Sequence, residues 1–243
     1  MFEKIYHKSE IWFSVMLIAL YVIGNSYLLQ ASIHTGIEMI YTIPFNCILF
    51  VTMFRFIRKN QLSDSFGLRK PQCHGKTVLY YIPLIMIASV NLWMGVTMKM
   101  DVMHSIIYFI AMILTGFVEE MLFRGFLFQA MAKDDMKNAV IVTSILFGLG
   151  HIINLFNGNS EHVISTLCQL CYAAAAGFLL VSVLLASKSL YPCMITHALL
   201  NALGTFSNEA AMTSAVIPVS IALCVISSIS AYLIFRNIRK DHI

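Results

Sequence analysis

The chain has 243 residues, 59% of them hydrophobic and 12% charged, with 16 Lys and Arg against 12 Asp and Glu for a net charge of +4. That is more apolar surface than a soluble domain of this length can bury, which excludes an ordinary soluble enzyme and makes the bilayer its natural solvent. No basic patch with interleaved aromatics accompanies the positive charge, so nucleic-acid binding is excluded and the charge reads as topology and contact with anionic lipid.

A helix needs about 20 apolar residues to cross roughly 30 Å of hydrocarbon. Eight windows approach that length: Ile11 to Gln30, Gly36 to Ile57, Thr77 to Met98, Met103 to Met131, Asn138 to Phe156, His162 to Ser187, Leu190 to Phe206 and Thr213 to Phe235. Backbone groups in lipid must be satisfied within their own segment, so the expected fold is all-α, a polytopic membrane helical bundle of about eight transmembrane helices. No repeat or long linker interrupts it, and residues 1–243 read as a single integral membrane domain. The first window is too long and too late for a cleaved signal peptide and is expected to remain as a helix.

With the N and C termini cytoplasmic, fourteen of the sixteen basic residues fall on the inside, Lys99 alone falls outside, and Arg124 lies within a span. This satisfies the positive-inside rule. Six cysteines (Cys47, Cys73, Cys168, Cys171, Cys193 and Cys224) sit mostly within apolar windows and read as small buried hydrophobes.

Charged groups inside a membrane are functional candidates by default. The fourth window carries Glu119, Glu120 and Arg124, the fifth His151, and the seventh His197 and Asn201. Glu120 and Arg124 are i and i+4 on one helix face, suited to a charge-assisted pair, whereas Glu119 lies about 140° from Arg124 and is the freer carboxylate. His197 and Asn201 share a face in the same way. Phe147, Gly148 and Gly150 are expected to pack the fifth helix against its neighbours.

A carboxylate and an imidazole beside a water in a low-dielectric cavity suit general-base activation of that water. A second imidazole and an amide provide donors for the oxyanion of a tetrahedral intermediate. The set is sufficient for peptide hydrolysis without a serine or cysteine nucleophile. Glu119, His151 and His197 also match the donors of a hydrolytic zinc site, although no His-Glu-x-x-His is present. Access from the cytoplasmic half is expected, because Arg124 lies about 9 Å of helix rise from the inside end of the fourth span.

Glu119-Glu120-x-x-x-Arg124, then Phe147-x-x-x-His151, then His197-x-x-x-Asn201 form a joint pattern across residues 103–206, continued after the arginine by Gly125-Phe126-Leu127-Phe128. In this the chain resembles the CAAX-protease and bacteriocin-processing (CPBP, Abi) family of intramembrane endopeptidases, related to the Ras-converting enzymes. The resemblance implies a glutamate-dependent endopeptidase in which Glu119 and His151 activate water, His197 and Asn201 stabilise the oxyanion, and Glu120 and Arg124 support the site. It favours a mechanism without a metal cofactor. It further implies a peptide or membrane-protein substrate and a multi-pass protein of a bacterial plasma membrane. Two other function classes fit the same residues: a proton- or ion-coupled transporter using them as a relay, and a non-catalytic peptide-binding immunity protein.

Overall fold

A computed structural model describes residues 2–72, 75–157 and 163–240. Among these residues the fold is all-helical, and the only strand-like pairing is an isolated bridge between Val96 and Ser207. Helix α1 (Phe2–Lys8) leads into α2 (Glu10–His34), which starts where the Ser9 side chain accepts from the Trp12 N–H. Next come α3 (Thr42–Lys59) and a run of short turns: a 3-10 segment (Gly75–Tyr81), α4 (Ile82–Ala88) and a second 3-10 piece (Val90–Leu92). Helix α5 (Val102–Glu120), capped by Asp101, passes through a π-helical turn (Met121–Leu127) into α6 (Phe128–Ala132).

Asp135 caps α7 (Met136–Leu149), which tightens into a 3-10 turn (Gly150–Ile153) before α8 (Asn154–Asn157). The remainder is α9 (Val163–Ser187), α10 (Tyr191–Leu203) with Pro192 in its first turn, α11 (Glu209–Ser214) and α12 (Val216–Lys240). Proline suits that first turn because its missing N–H has no intrahelical partner there.

Five stretches are long and apolar enough to cross a membrane: residues 10–34, 102–132, 136–153, 163–187 and 216–238. The other three expected spans differ. Where a helix from Gly36 is expected, positive φ at Gly36 (76°) and Met39 (65°) makes a turn, so α3 begins only at Thr42 and carries Arg55, Arg58 and Lys59 near its end. The third window is divided among short helices, and the seventh holds a 13-residue α10. Hydropathy windows count apolar residues and do not register such breaks. Cys73 and His162 lie outside the described residues. Of the other cysteines Cys193 is buried as expected, whereas Cys171 is exposed.

Large apolar side chains such as Trp12, Ile23, Ile106, Ile164 and Ile221 face outward, while Glu120 and Arg124 are fully buried. This inside-out distribution suits a lipid surround. Helix α5 packs on α10 and α3, and α9 packs on α7 and α12. Two glycines set the closest approaches. A Cβ on Gly116 would stand 2.6 Å from the Ala198 nitrogen, so α5 and α10 meet backbone to backbone. A Cβ on Gly148 would stand 2.6 Å from the Leu170 carbonyl oxygen, which draws α7 onto α9 in the same way, whereas Gly150 has open space beyond Phe123. Ion pairs Lys59 to Glu3 and Lys133 to Glu10 tie connections at one end of the bundle. Lys99 pairs with Glu209 at the other.

Candidate active site

The six candidate residues come from four neighbouring elements. Glu119 and Glu120 end α5, Arg124 lies in the π-helical turn, His151 in the 3-10 turn after α7, and His197 and Asn201 on α10. The approach at Gly116, one turn before the carboxylates, brings His197 against them. A π turn is a single widened turn often found at functional sites, and this one begins directly after Glu120.

The expected pair is formed: Arg124 Nη1 donates to Glu120 Oε1 at 2.9 Å, with both side chains fully buried. The guanidinium also lies over the Phe147 ring, 4.0 Å from its centroid, an attraction that strengthens when the cation is desolvated. Among the described residues, Glu120 Oε2 and Arg124 Nε and Nη2 have no hydrogen-bond partner. Glu120 holds a second group, because His197 Nδ1 lies 2.9 Å from the same Oε1. A carboxylate accepts, so Nδ1 carries the hydrogen and Nε2 is the ring's other face. That Nε2 lies 3.4 Å from Glu119 Oε2. The imidazole thus stands between the two carboxylates.

Glu119 is the more accessible of the two, its side chain 15% exposed. It is not without a partner: Tyr21 Oη, on α2, donates to Glu119 Oε1 at 2.6 Å. Sequence reasoning missed Tyr21. The available signal was a phenol in mid-span with Asn25 one turn further on the same face, two polar groups where lipid would favour neither.

Two cavities meet here. The larger, of about 460 Å³, is lined by His151, Thr196, His197 and Asn201, and has an apolar wall of Ala173, Ala176 and Leu180 on α9 with Val219 and Leu223 on α12. The smaller, of about 160 Å³, is lined by Tyr21, Asn25, Thr115, Glu119, His151 and Asn154. Met112, Phe147 and His151 border both. Neither is lined by Arg124, and the larger runs toward Lys99, Ser207 and Glu209, at the end of the bundle away from Lys133. Access from the Lys133 end, expected from the position of Arg124, is therefore not where the cavity lies. Arg124 is walled in by protein, so its depth along the helix says nothing about access.

Residues 102–203 match the family model described as type II CAAX prenyl endopeptidase, Rce1-like. Over this stretch, less than half of its length, the chain is similar to the CAAX proteases. No curated protein matches the chain. This similarity, together with five apolar helices of spanning length, supports an integral, multi-pass membrane protein of protease type. All six candidate residues fall within the segment matched to the CAAX proteases, and Tyr21 falls outside it.

His151 is tied to the other candidates through Phe147 and its place at the cavity junction. Its ring meets Phe147 edge-on at 5.8 Å between centroids, and Phe147 meets His197 in the same manner at 5.3 Å. It shares the smaller cavity with Glu119 but makes no hydrogen bond to it. Among the described residues no three His, Cys, Asp or Glu side chains are grouped so that they could hold a metal ion.

Proposed function

We propose that the chain is an intramembrane endopeptidase that cleaves a membrane-associated peptide or protein with water activated by Glu119. The observation that carries this reading is the division of groups at the cavity junction. Glu119 faces the smaller cavity, His197 and Asn201 face the larger, and His151 borders both.

In this reading the substrate lies in the larger cavity, against the apolar wall of α9 and α12, and water occupies the space between Glu119 and His151. Glu119 takes a proton from water as its oxygen attacks the carbonyl carbon. Asn201 Nδ2 donates to the developing oxyanion, and His197 Nε2 does so as the imidazolium, which carries a hydrogen on both ring nitrogens. Glu119 then returns the proton to the leaving amine and the C–N bond breaks. Glu120 holds Nδ1 of His197, and Arg124 balances the charge of Glu120. The family description names prenyl substrates, and a chain carrying an apolar anchor next to the scissile bond suits the apolar wall. The finer topology follows the basic residues, with eight crossings and both termini in the cytoplasm.

The test uses purified protein in proteoliposomes with a candidate anchored peptide. Glu119→Gln and His151→Ala should each abolish cleavage, and Asn201→Ala should lower kcat by roughly 10²–10³-fold, as loss of one oxyanion donor does. Uncut substrate retained on Glu119→Gln and identified by mass spectrometry would name the substrate class. Unimpaired cleavage by Glu119→Gln would sink the reading. Stoichiometric zinc in the wild type, lost with His151→Ala or His197→Ala, would replace the metal-free chemistry.

A further inference from the structure

Tyr21 belongs to α2, outside the segment that matches the family model. Its ring is buried at 6% exposure, and its hydroxyl reaches Glu119 across 98 positions of sequence. The phenol is itself held in place. Asn25, one turn on, donates to the Tyr21 carbonyl oxygen at 3.1 Å and exchanges two amide hydrogen bonds with Asn46 on α3, at 3.1 and 3.2 Å. Asn46 also reaches Thr115 Oγ1 at 3.4 Å, one turn before Glu119 on α5. A chain of polar contacts thus runs from Tyr21 on α2 through α3 to α5, where it ends one turn before the carboxylate.

The consequence falls on the two oxygens of Glu119. Oε1 accepts from Tyr21, and Oε2 points at Nε2 of His197. A carboxylate on a two-carbon stem has several rotamers, and a bond at one oxygen selects the rotamer that directs the other. We propose that Tyr21 is a positioning residue for Glu119, its phenolic O–H fixing Oε1 so that Oε2 is presented to His197 and to water in the smaller cavity. The inference rests on the reading of Glu119 as the water-activating base. A purely structural bond between α2 and α5 is the competing account, and it makes a different prediction for rate.

Tyr21→Phe removes the hydroxyl and keeps the ring. In proteoliposomes it should lower kcat by about tenfold to a hundredfold, the scale on which misplacement of a reacting group acts, with KM and the Kd for an uncleavable peptide unchanged. Site-specific 3-fluorotyrosine at position 21, which retains the O–H, should restore the rate. Tyr27→Phe, at a residue 75% exposed on the same helix, should behave as wild type. Glu119→Gln is measured in parallel to separate two failures. If it cleaves normally, the reading of the site fails, and the role of Tyr21 with it. If it is inactive while Tyr21→Phe keeps the wild-type kcat, or loses rate only through KM or unfolding, then Tyr21 does not position Glu119.

Discussion

Glu120 and His197, 77 positions apart in sequence, meet at 2.9 Å through Oε1 and Nδ1 in fully enclosed surroundings. The same oxygen accepts from Arg124, so one carboxylate orients the imidazole and neutralises the guanidinium. Removing one partner of a buried ion pair leaves an uncompensated charge and is destabilising by about 3–5 kcal/mol, whereas replacing both with apolar groups of similar volume is often neutral. Glu120→Ala is therefore expected to lower the thermal unfolding midpoint in detergent strongly. The double variant Glu120→Leu with Arg124→Met should recover most of that stability. It should not recover cleavage, because His197 Nδ1 still lacks its acceptor. Recovery of both together would show that Glu120 serves the guanidinium alone.

Phe147 is a hub and not only a packing element. Its ring carries the Arg124 guanidinium on one face and meets Phe123, His151 and His197 edge-on. Phe147→Leu keeps an apolar side chain but removes the cation–π contact, worth about 2 kcal/mol for a desolvated cation, and frees both imidazoles to rotate. The expected outcome is a modest fall in thermal stability with a larger fall in kcat. Unchanged turnover in the proteoliposome assay would mean that the imidazoles are held by other contacts.

Much of this site is legible in sequence where it depends on local spacing. Glu120 and Arg124 are one turn apart, and their pair follows from helix geometry, even though the turn between them is of π type. The contact of His197 with both carboxylates is not legible in this way. It depends on how closely α5 and α10 approach, which Gly116 permits but no periodicity states. Tyr21 is hidden for a similar reason, since its partner is on another helix and its own span reads as apolar. The turns at Gly36 and Met39 and the broken helix between Gly75 and Leu92 escape hydropathy altogether. Backbone conformation there is set by a few residues, while hydropathy averages over twenty.

Gly116 gives that approach a direct test. Its missing Cβ would fall 2.6 Å from one backbone atom of Ala198 and 2.7 Å from another, and backbone on a packed helix has no side-chain rotamer with which to yield. Gly116→Ala should be destabilising by roughly 1–3 kcal/mol through overpacking, and should depress cleavage by moving His197 away from Glu119 and Glu120. Gly150→Ala, where the nearest atom is Phe123 Cζ at 4.0 Å, should leave thermal stability unaltered or slightly raised. Equal behaviour of the two variants would contradict the backbone contact between α5 and α10.

Asp101 gives the pH dependence of the start of α5. The carboxylate accepts from the His104 backbone N–H at 3.0 Å and is bonded to the His104 ring, and these contacts hold its pKa below the ordinary carboxylate range. A folded-state pKa below the unfolded one means that the cap adds stability above the unfolded value and loses it as pH falls through the folded value. The acid form can no longer offer a charged acceptor to the helix N-terminus. Thermal melts of wild type and Asp101→Ala in detergent should therefore differ by a constant amount from neutral pH down to about pH 5. The gap should close below about pH 4, where an unperturbed aspartate protonates. A gap that persisted unchanged at pH 3 would show that the charged cap is not what holds the first turn of α5.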